Sequence, residues 1–170
     1  KIQLSEFARI KNGKDHKGHN LGDVPVYGSG GVMTYIDTFS FDKPCVLIPR
    51  KGSIDKLYYV DFPFWNVDTI FYTDINTSII IPKFMYYLLQ KEHLEQYNTA
   101  GGVPSLTQAV LNQLEFSIPN LNEQRRIVDI LDRFDSLCND ISSGLPAEIE
   151  ARQKQYEYYR DRLLTFKELS

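Results

Sequence analysis

The sequence predicts an α+β protein: a small mixed β-sheet domain with short helices, followed by a long C-terminal helical arm of the coiled-coil kind. Three observations predict it. Residues 1–121 are turn-rich, with short clusters of β-branched and aromatic residues set between glycines and prolines. Residues 122–170 contain one proline, one glycine and no tryptophan. Apolar residues in that second region recur at alternating steps of four and three, the period of packed helices.

In chain order, Val24–Tyr27 and Val32–Tyr35 read as strands split by Gly28-Ser29-Gly30-Gly31, a hairpin turn. Cys45–Ile48 is a third strand, ended by Pro49, which cannot donate to a ladder, and followed by the turn Lys51-Gly52-Ser53. Leu57–Val60 and Val67–Thr73 complete this set. A helix begins at Pro82, suited to a first turn, and runs through Lys83–Tyr97 with Phe84, Tyr87, Leu88 and Leu94 as its apolar residues. The loop Asn98–Pro104 ends it. Ser105 with Gln108 reads as a capping box for a short helix to Asn112, and Glu115–Ile118 is a last strand closed by Pro119.

The boundary is placed at 121/122. Asn120 with Glu123 gives another capping box, and the helix after it carries Ile127, Leu131, Phe134, Cys138 and Ile141, expected to pack on its own domain. Ser142-Ser143-Gly144-Leu145-Pro146 predicts a break near 142–146. The second helix carries Leu145, Ile149, Arg152, Tyr156, Tyr159, Leu163 and Phe166 over three heptads. Its other faces are charged, with Glu148, Glu150, Lys154, Glu157, Arg160, Asp161 and Arg162. So narrow a stripe is expected to seek another helix, with Arg152 fixing register.

Composition excludes several classes. No run approaches 18 apolar residues, so no membrane span is expected. The first residues show no apolar signal region, and the only two cysteines, Cys45 and Cys138, have apolar neighbours and are expected as buried free thiols. Both point to the cytoplasm, so the sequon Asn76-Thr77-Ser78 carries no weight. No GxxxxGK[ST] loop is present, no helix follows Gly28–Gly31 to hold a phosphate, and the cysteines and histidines are too scattered for a metal. Glu92-His93-Leu94-Glu95 falls on the polar side of its helix, and no local Ser-His-Asp or Cys-His grouping exists. The chain therefore reads as a non-catalytic binding module with no cofactor of its own. Net charge is −3, yet residues 9–19 hold Arg9, Lys11, Lys14 and Lys17 against Asp15 alone, with His16 and His19: a small basic face on an acidic body.

Four stretches together resemble the specificity subunits of Type I restriction-modification systems. They are Pro25-Val26-Tyr27-Gly28-Ser29-Gly30-Gly31 with Tyr35-Ile36-Asp37; Val46-Leu47-Ile48-Pro49-Arg50-Lys51-Gly52-Ser53 with Phe64-Trp65-Asn66-Val67-Asp68-Thr69; Gly101-Gly102-Val103-Pro104-Ser105-Leu106-Thr107; and Ile118-Pro119-Asn120-Leu121-Asn122-Glu123-Gln124-Arg125-Arg126-Ile127-Val128, which leads into 145–161. Asn120 stands where the family usually has proline. Family members usually carry two recognition domains and two spacer helices; here there is one of each, without internal repeat, so the chain reads as a natural half-subunit, a truncated gene product or an expressed fragment.

The resemblance implies that residues 1–121 recognise one half of a bipartite double-stranded DNA target and 122–170 form a spacer. Methyltransferase subunits, carrying S-adenosylmethionine, and restriction-motor subunits would be partners. With one spacer helix, a homodimer is expected through Ile149, Arg152, Tyr156, Tyr159, Leu163 and Phe166. Pro146–Lys167, 22 residues, would span about 33 Å as a helix, close to one turn of B-DNA. Candidate DNA contacts are polar or glycine residues in predicted loops: Lys11, Lys14, Lys17, His19, Ser29, Arg50, Lys51, Ser53, Thr99, Gly101 and Gly102. Arg50, whose fork matches guanine O6 and N7, is the candidate base reader, and the lysines are candidates for phosphates. Trp65 is expected in the core. The rival readings are a protein-interaction adaptor without DNA specificity, and a fragment of a fused enzyme.

Overall fold

The computed structural model describes residues 1–98, 100–140 and 146–165, without the side chains of 137–140 and 146–147. The chain opens with β1 (Ile2–Gln3), α1 (Leu4–Phe7) and β2 (Ala8–Asn12), then forms β3 (Leu21–Gly28), β4 (Gly31–Ile36), β5 (Cys45–Pro49), β6 (Tyr58–Val60), β7 (Trp65–Asn66) and β8 (Ile70–Ile75). After these come α2 (Pro82–Lys91), a 3-10 turn (Leu94–Tyr97), α3 (Gln108–Asn112), β9 (Glu115–Phe116), α4 (Leu121–Asp140) and α5 (Pro146–Leu163).

Three layers result. The middle one is an antiparallel sheet ordered β2-β8-β5-β6. Every residue of β5 is buried, as its unbroken apolar run requires. Val46 and Ile48 face a core shared with α2, through Phe84, Met85 and Leu88, while Cys45 and Leu47 face Tyr27, Phe64 and Ile70. The second sheet is ordered β4-β3-β7, with β3 and β4 antiparallel and β3 and β7 parallel. Burial pushes the Cys45 thiol up to about 12 and leaves it free. Cys138 lies where no side chain is described.

The predicted strand Val67–Thr73 starts three residues late: Val67–Thr69 lie between β7 and β8 and are not strand. Asn66 turns its side chain inward, donating from Nδ2 to the Ile70 carbonyl at 2.9 Å, and the Ile70 amide donates to the Val67 carbonyl at 3.2 Å. The segment Trp65–Ile75 thereby serves both sheets, with Val67–Thr69 as the corner. The helix expected over Lys83–Tyr97 is also interrupted: His93 takes a left-handed conformation, φ 52°, which ends α2. The short helix is capped by Thr107, whose hydroxyl accepts from the Val110 amide at 3.3 Å, and not by Ser105. Asn120 does cap α4, accepting from the Asn122 and Glu123 amides at 3.1 Å each, but Glu123 turns to Arg126. No strand was expected in residues 1–12, although Ala8 and Ile10 alternate with Arg9 and Lys11; β2 adds to the sheet beside β8.

Ile127 and Leu131 bury against the main core, as expected of α4. Gln124 is fully buried there: its Oε1 accepts from the Ile81 amide at 2.8 Å, and its Nε2 donates to the carbonyls of Ile79 at 2.9 Å and Pro119 at 2.8 Å. Lys83 meets Asp132 at 3.3 Å, and the Tyr87 hydroxyl donates to the same carboxylate.

The expectation for α5 is corrected in several respects. Tyr156 is buried within this chain and Leu163 packs on the same cluster, beside the buried Leu164, so part of the stripe is covered by this chain itself while Ile149 and Tyr159 stay exposed. Arg160, assigned to a solvated face, is also buried: it pairs with Asp161 at 2.9 Å and lies 5.9 Å above the Tyr156 ring. Arg152 forms a surface pair with Glu148 at 2.8 Å. The helix is shorter than expected, its 18 residues spanning about 27 Å. At its end Lys91 Nζ donates to the Leu164 carbonyl at 3.2 Å and to Thr165 Oγ1 at 3.0 Å. Phe166, like Ile141 and residues 142–145 of the predicted break at 142–146, lies outside the described residues, while Pro146 begins α5.

Candidate nucleic-acid interface

Three loops meet at one end of the two sheets, and Thr69 at the corner joins two of them. The tip of the β3–β4 hairpin is Ser29-Gly30, with Gly31 at φ +112°, where a side chain would be strained. The Ser29 amide donates to Thr69 Oγ1 at 3.3 Å, and its carbonyl accepts from the Tyr58 hydroxyl at 3.3 Å. The Arg50 amide donates to the Thr69 carbonyl at 3.0 Å, which sets the second loop beside the hairpin tip.

The second and third loops lie side by side. The Gly52 amide donates to the Pro104 carbonyl at 2.9 Å, the Leu106 amide donates to the Arg50 carbonyl at 2.9 Å, and Lys51 bridges Ser105. Gly52, at φ +78°, turns the backbone, and Ser53 is half-buried below it. Arg50 is half-buried, its guanidinium 5.1 Å from the centre of the Phe71 ring and its Nε enclosed without a hydrogen-bond partner. Nearby, Gln108 Nε2 donates to Asn12 Oδ1 at 3.1 Å. Lys51, Gly101 and Gly102 are exposed; Thr99 lies outside the described residues.

Glycines 30, 101 and 102 share a property. None has a positive φ, and a Cβ at any of them would meet open space. Neither conformation nor packing within the chain requires glycine there.

The basic segment lies beside this end. The Lys14 amide donates to the Asn66 carbonyl at 2.9 Å, and its own carbonyl accepts from Trp65 Nε1 at 2.9 Å. His19 stands 4.6 Å from the Trp65 ring. Trp65 is half-buried against Val26, Ile36 and Val67, as a core residue at a rim. The Lys17 amide donates to Asp15 Oδ1 at 3.0 Å and holds that carboxyl below its ordinary value. Lys11, expected in a loop, is an exposed residue of β2 opposite Tyr72. Ser29, Arg50, Lys51 and Ser53 are thus brought together, with Gly101 and Gly102 on the adjoining loop. Lys14, Lys17 and His19 form a flank, and Lys11 stands apart on the sheet.

Sequence reasoning missed Thr69, Tyr58 and the Asn12–Gln108 pair. Asn12 and Gln108 are far apart in the chain and no local pattern joins them. Thr69 ends the motif Trp65–Thr69, and a threonine inside a predicted strand gives no sign of a corner.

A second feature lies at the helical end. α4 and α5 run antiparallel and enclose a groove of about 540 Å³ lined by Glu123, Arg126, Ile130, Phe134, Tyr159, Arg162, Leu163 and Thr165. Phe134 and Tyr159 stack on its floor, 5.6 Å apart and inclined by 16°. Among the described residues no group of three or more His, Cys, Asp or Glu side chains could hold a metal ion, and no helix is long and apolar enough to cross a membrane.

The fold is a layered α+β domain whose loops converge at one end of its sheets. Residues 1–151 match the family described as the Type I restriction modification DNA specificity domain. The chain belongs to this family and is a non-catalytic specificity domain. It is 30% identical over 173 aligned positions, covering 97% of this chain and 73% of the relative, to the putative type I specificity subunit S.MpnORF201P of Mycoplasma pneumoniae. It is 46% identical over 91 residues, 51% of this chain and 22% of the relative, to the EcoR124I/EcoR124II specificity subunit of Escherichia coli. In fold it is similar to the S subunit of a Type I system from M. genitalium, with a TM-score of 0.71 at 19% identity, covering 84% of this chain and 40% of that one. The chain therefore spans between about a fifth and three quarters of the length of these relatives.

Proposed function

We propose that the chain reads one half of a bipartite double-stranded DNA target through the three-loop end. The observation that carries this is the unforced glycine at positions 30, 101 and 102, set among Ser29, Arg50 and Lys51. Glycine that the fold does not need suits a backbone approached closely by a ligand. Lys14, Lys17 and Lys51 supply phosphate contacts, and Arg50, steadied over Phe71, offers its fork to a guanine edge. Selection of bound sites from random duplexes at low salt tests it. The wild-type chain should enrich a short run of defined bases, and Arg50→Met should lose one position of it. Failure to enrich any sequence would remove the DNA-reading role and leave the adaptor reading.

The groove between α4 and α5 favours a second, compatible role in assembly. Its apolar floor, with Ile149 and Tyr158 exposed on α5, suits a helix from another chain. Methyltransferase subunits carrying S-adenosylmethionine, restriction-motor subunits and a second copy of this chain are the proposed partners, in the cytoplasm where the DNA is. In the homodimer the contact face is Ile130, Phe134 and Tyr159, not the buried Tyr156. Sedimentation at tens of micromolar should show a dimer that Phe134→Asp with Tyr159→Asp converts to monomer. A wild-type monomer at that concentration would refute the homodimer.

A further inference from the structure

The β3–β4 hairpin carries an apolar group that the polar reading site does not account for. The register between the two strands shifts between Val26 and Tyr27, where Thr34 gives way to Val32 as the partner, so Met33 is the extra residue of a bulge. Bulges re-aim side chains. Met33 is turned out of the ladder and is 60% exposed, far above what a large apolar side chain in a sheet core shows.

It is nonetheless seated. A Cβ placed on Gly28 would stand 2.6 Å from Met33 Sδ and 3.3 Å from its Cγ, and 3.5 Å from Thr69 Oγ1. The glycine therefore leaves room for the thioether to lie across the backbone beside Thr69. Thr69 is the residue that fastens the Ser29 tip and the Arg50 loop. The methionine is thus held at the edge of the three-loop end, with Val32 also exposed next to it.

We infer that Met33 is a specificity-determining residue that packs on the methyl group of a thymine in the major groove. The inference rests on the DNA-reading role proposed above and names a base contact within it. Three points carry it. A two-stranded β-ribbon fits the major groove, and the β3–β4 hairpin, backed by the short β7 at Val26 and Tyr27, leaves β4 as the free edge on which Met33 stands. The apolar feature of base edges in that groove is the thymine C5-methyl. A methionine, unbranched and polarisable, fits an apolar group of irregular surroundings, and the Gly28 seat limits the freedom it would lose on contact.

The test uses the duplex that the wild-type chain enriches from a random library, with each thymine replaced in turn by deoxyuridine. Affinities are measured for the wild type, Met33→Ala and Met33→Leu. At one position the wild type should lose about fourfold on removal of the methyl, the worth of one buried methyl-sized group. Met33→Ala should bind the two duplexes equally there, and Met33→Leu should keep most of the difference. Equal losses for wild type and Met33→Ala overturn the assignment, as does the absence of any methyl-sensitive position. A wild-type chain that enriches no sequence refutes the DNA-reading role and this inference with it. Enrichment without methyl sensitivity refutes Met33 alone. Because Met33 is exposed, a thermal melt of Met33→Ala matching the wild type separates lost contact from lost fold.

Discussion

The two ends of the molecule are held by different chemistry. At the loop end, backbone groups do the fastening: Arg50 to Thr69, Gly52 to Pro104, Leu106 to Arg50. The side-chain bonds that add to them, from Thr69 and Tyr58, hold the hairpin tip, and the Lys51 side chain is exposed. At the helical end, side chains do the fastening: Gln124 to three backbone groups, Tyr87 and Lys83 to Asp132, Lys91 to the last turn of α5. The difference predicts how each end tolerates change. Where backbone sets the shape, side chains can be exchanged and specificity changes without loss of fold. Where side chains set it, exchange costs stability.

The sharpest way to break this comparison is Gln124→Ala. It leaves the Ile81 amide and the carbonyls of Ile79 and Pro119 without their partner in a part-buried site. Unpaired buried groups of this kind are expensive, and a loss of about 3 kcal/mol is expected in urea unfolding. The enriched DNA sequence should not change. A loss below about 1 kcal/mol would mean that apolar contact alone seats α4.

At the loop end the expected loss is in discrimination. Arg50→Met keeps an apolar stem over Phe71 and removes the fork. Discrimination at one base pair should fall by about 2 kcal/mol, with stability nearly unchanged. Competition binding between the enriched duplex and its single-base variants measures it. An even loss on every sequence would make Arg50 a positioning residue.

Between the ends, Cys45 reports on the sheet core. Burial raises its thiol from 9.0 to about 12. The unfolded chain therefore releases this proton at lower pH than the folded one, and stability is lost as pH rises above about 9. The slope is about 1.4 kcal/mol per pH unit for one group. Several tyrosines, Tyr87 and Tyr59 among them, are also raised from 10.0, chiefly by burial, and steepen the fall above that pH. Between pH 9 and 10 Cys45→Val should flatten the curve; an unchanged slope there would place the proton release elsewhere.

Much of this was legible in the sequence, for reasons that differ by region. The Gly28–Gly31 hairpin, the β5 run and the start of α2 at Pro82 follow from local chemistry: turn residues, an unbroken apolar run, a proline at a first turn. The corner at Val67–Thr69 was not legible, because it depends on Asn66 finding Ile70 inside the fold. α5 was misjudged for a related reason. A spacing of four and three marks apolar positions without saying whose surface covers them, and Tyr156 is covered by the protein's own helices. Sequence reasoning did not single out Gln124, although it stands three residues before Ile127 and seven before Leu131 on the buried face. The loop end was legible as a set of polar and glycine residues, but their convergence depends on Thr69 and Pro104, which no local pattern singled out.

The smallest predicted effect tests the division of labour within the loop end. Lys14 and Lys17 lie on the flank, both exposed, one with its backbone pinned to Asn66 and Trp65 and the other in the turn closed by Asp15. Neither side chain is needed for those backbone bonds, so alanine at either position should leave the loop in place. Each lysine that neutralises a phosphate releases about one counterion, so its removal should flatten the logarithmic salt dependence of binding by roughly one unit. At a single salt concentration the loss is modest and falls equally on enriched and random duplexes, which distinguishes it from Arg50→Met. Because Lys17 sits at the apex of its turn beside an acidic partner, its side chain is also the one more readily spared. Measuring both slopes decides whether the flank acts as one patch. Equal flattening means that both reach the backbone, flattening by Lys14→Ala alone narrows the patch to the residue anchored at Trp65, and no flattening by either moves the phosphate contacts to Lys51 and the third loop.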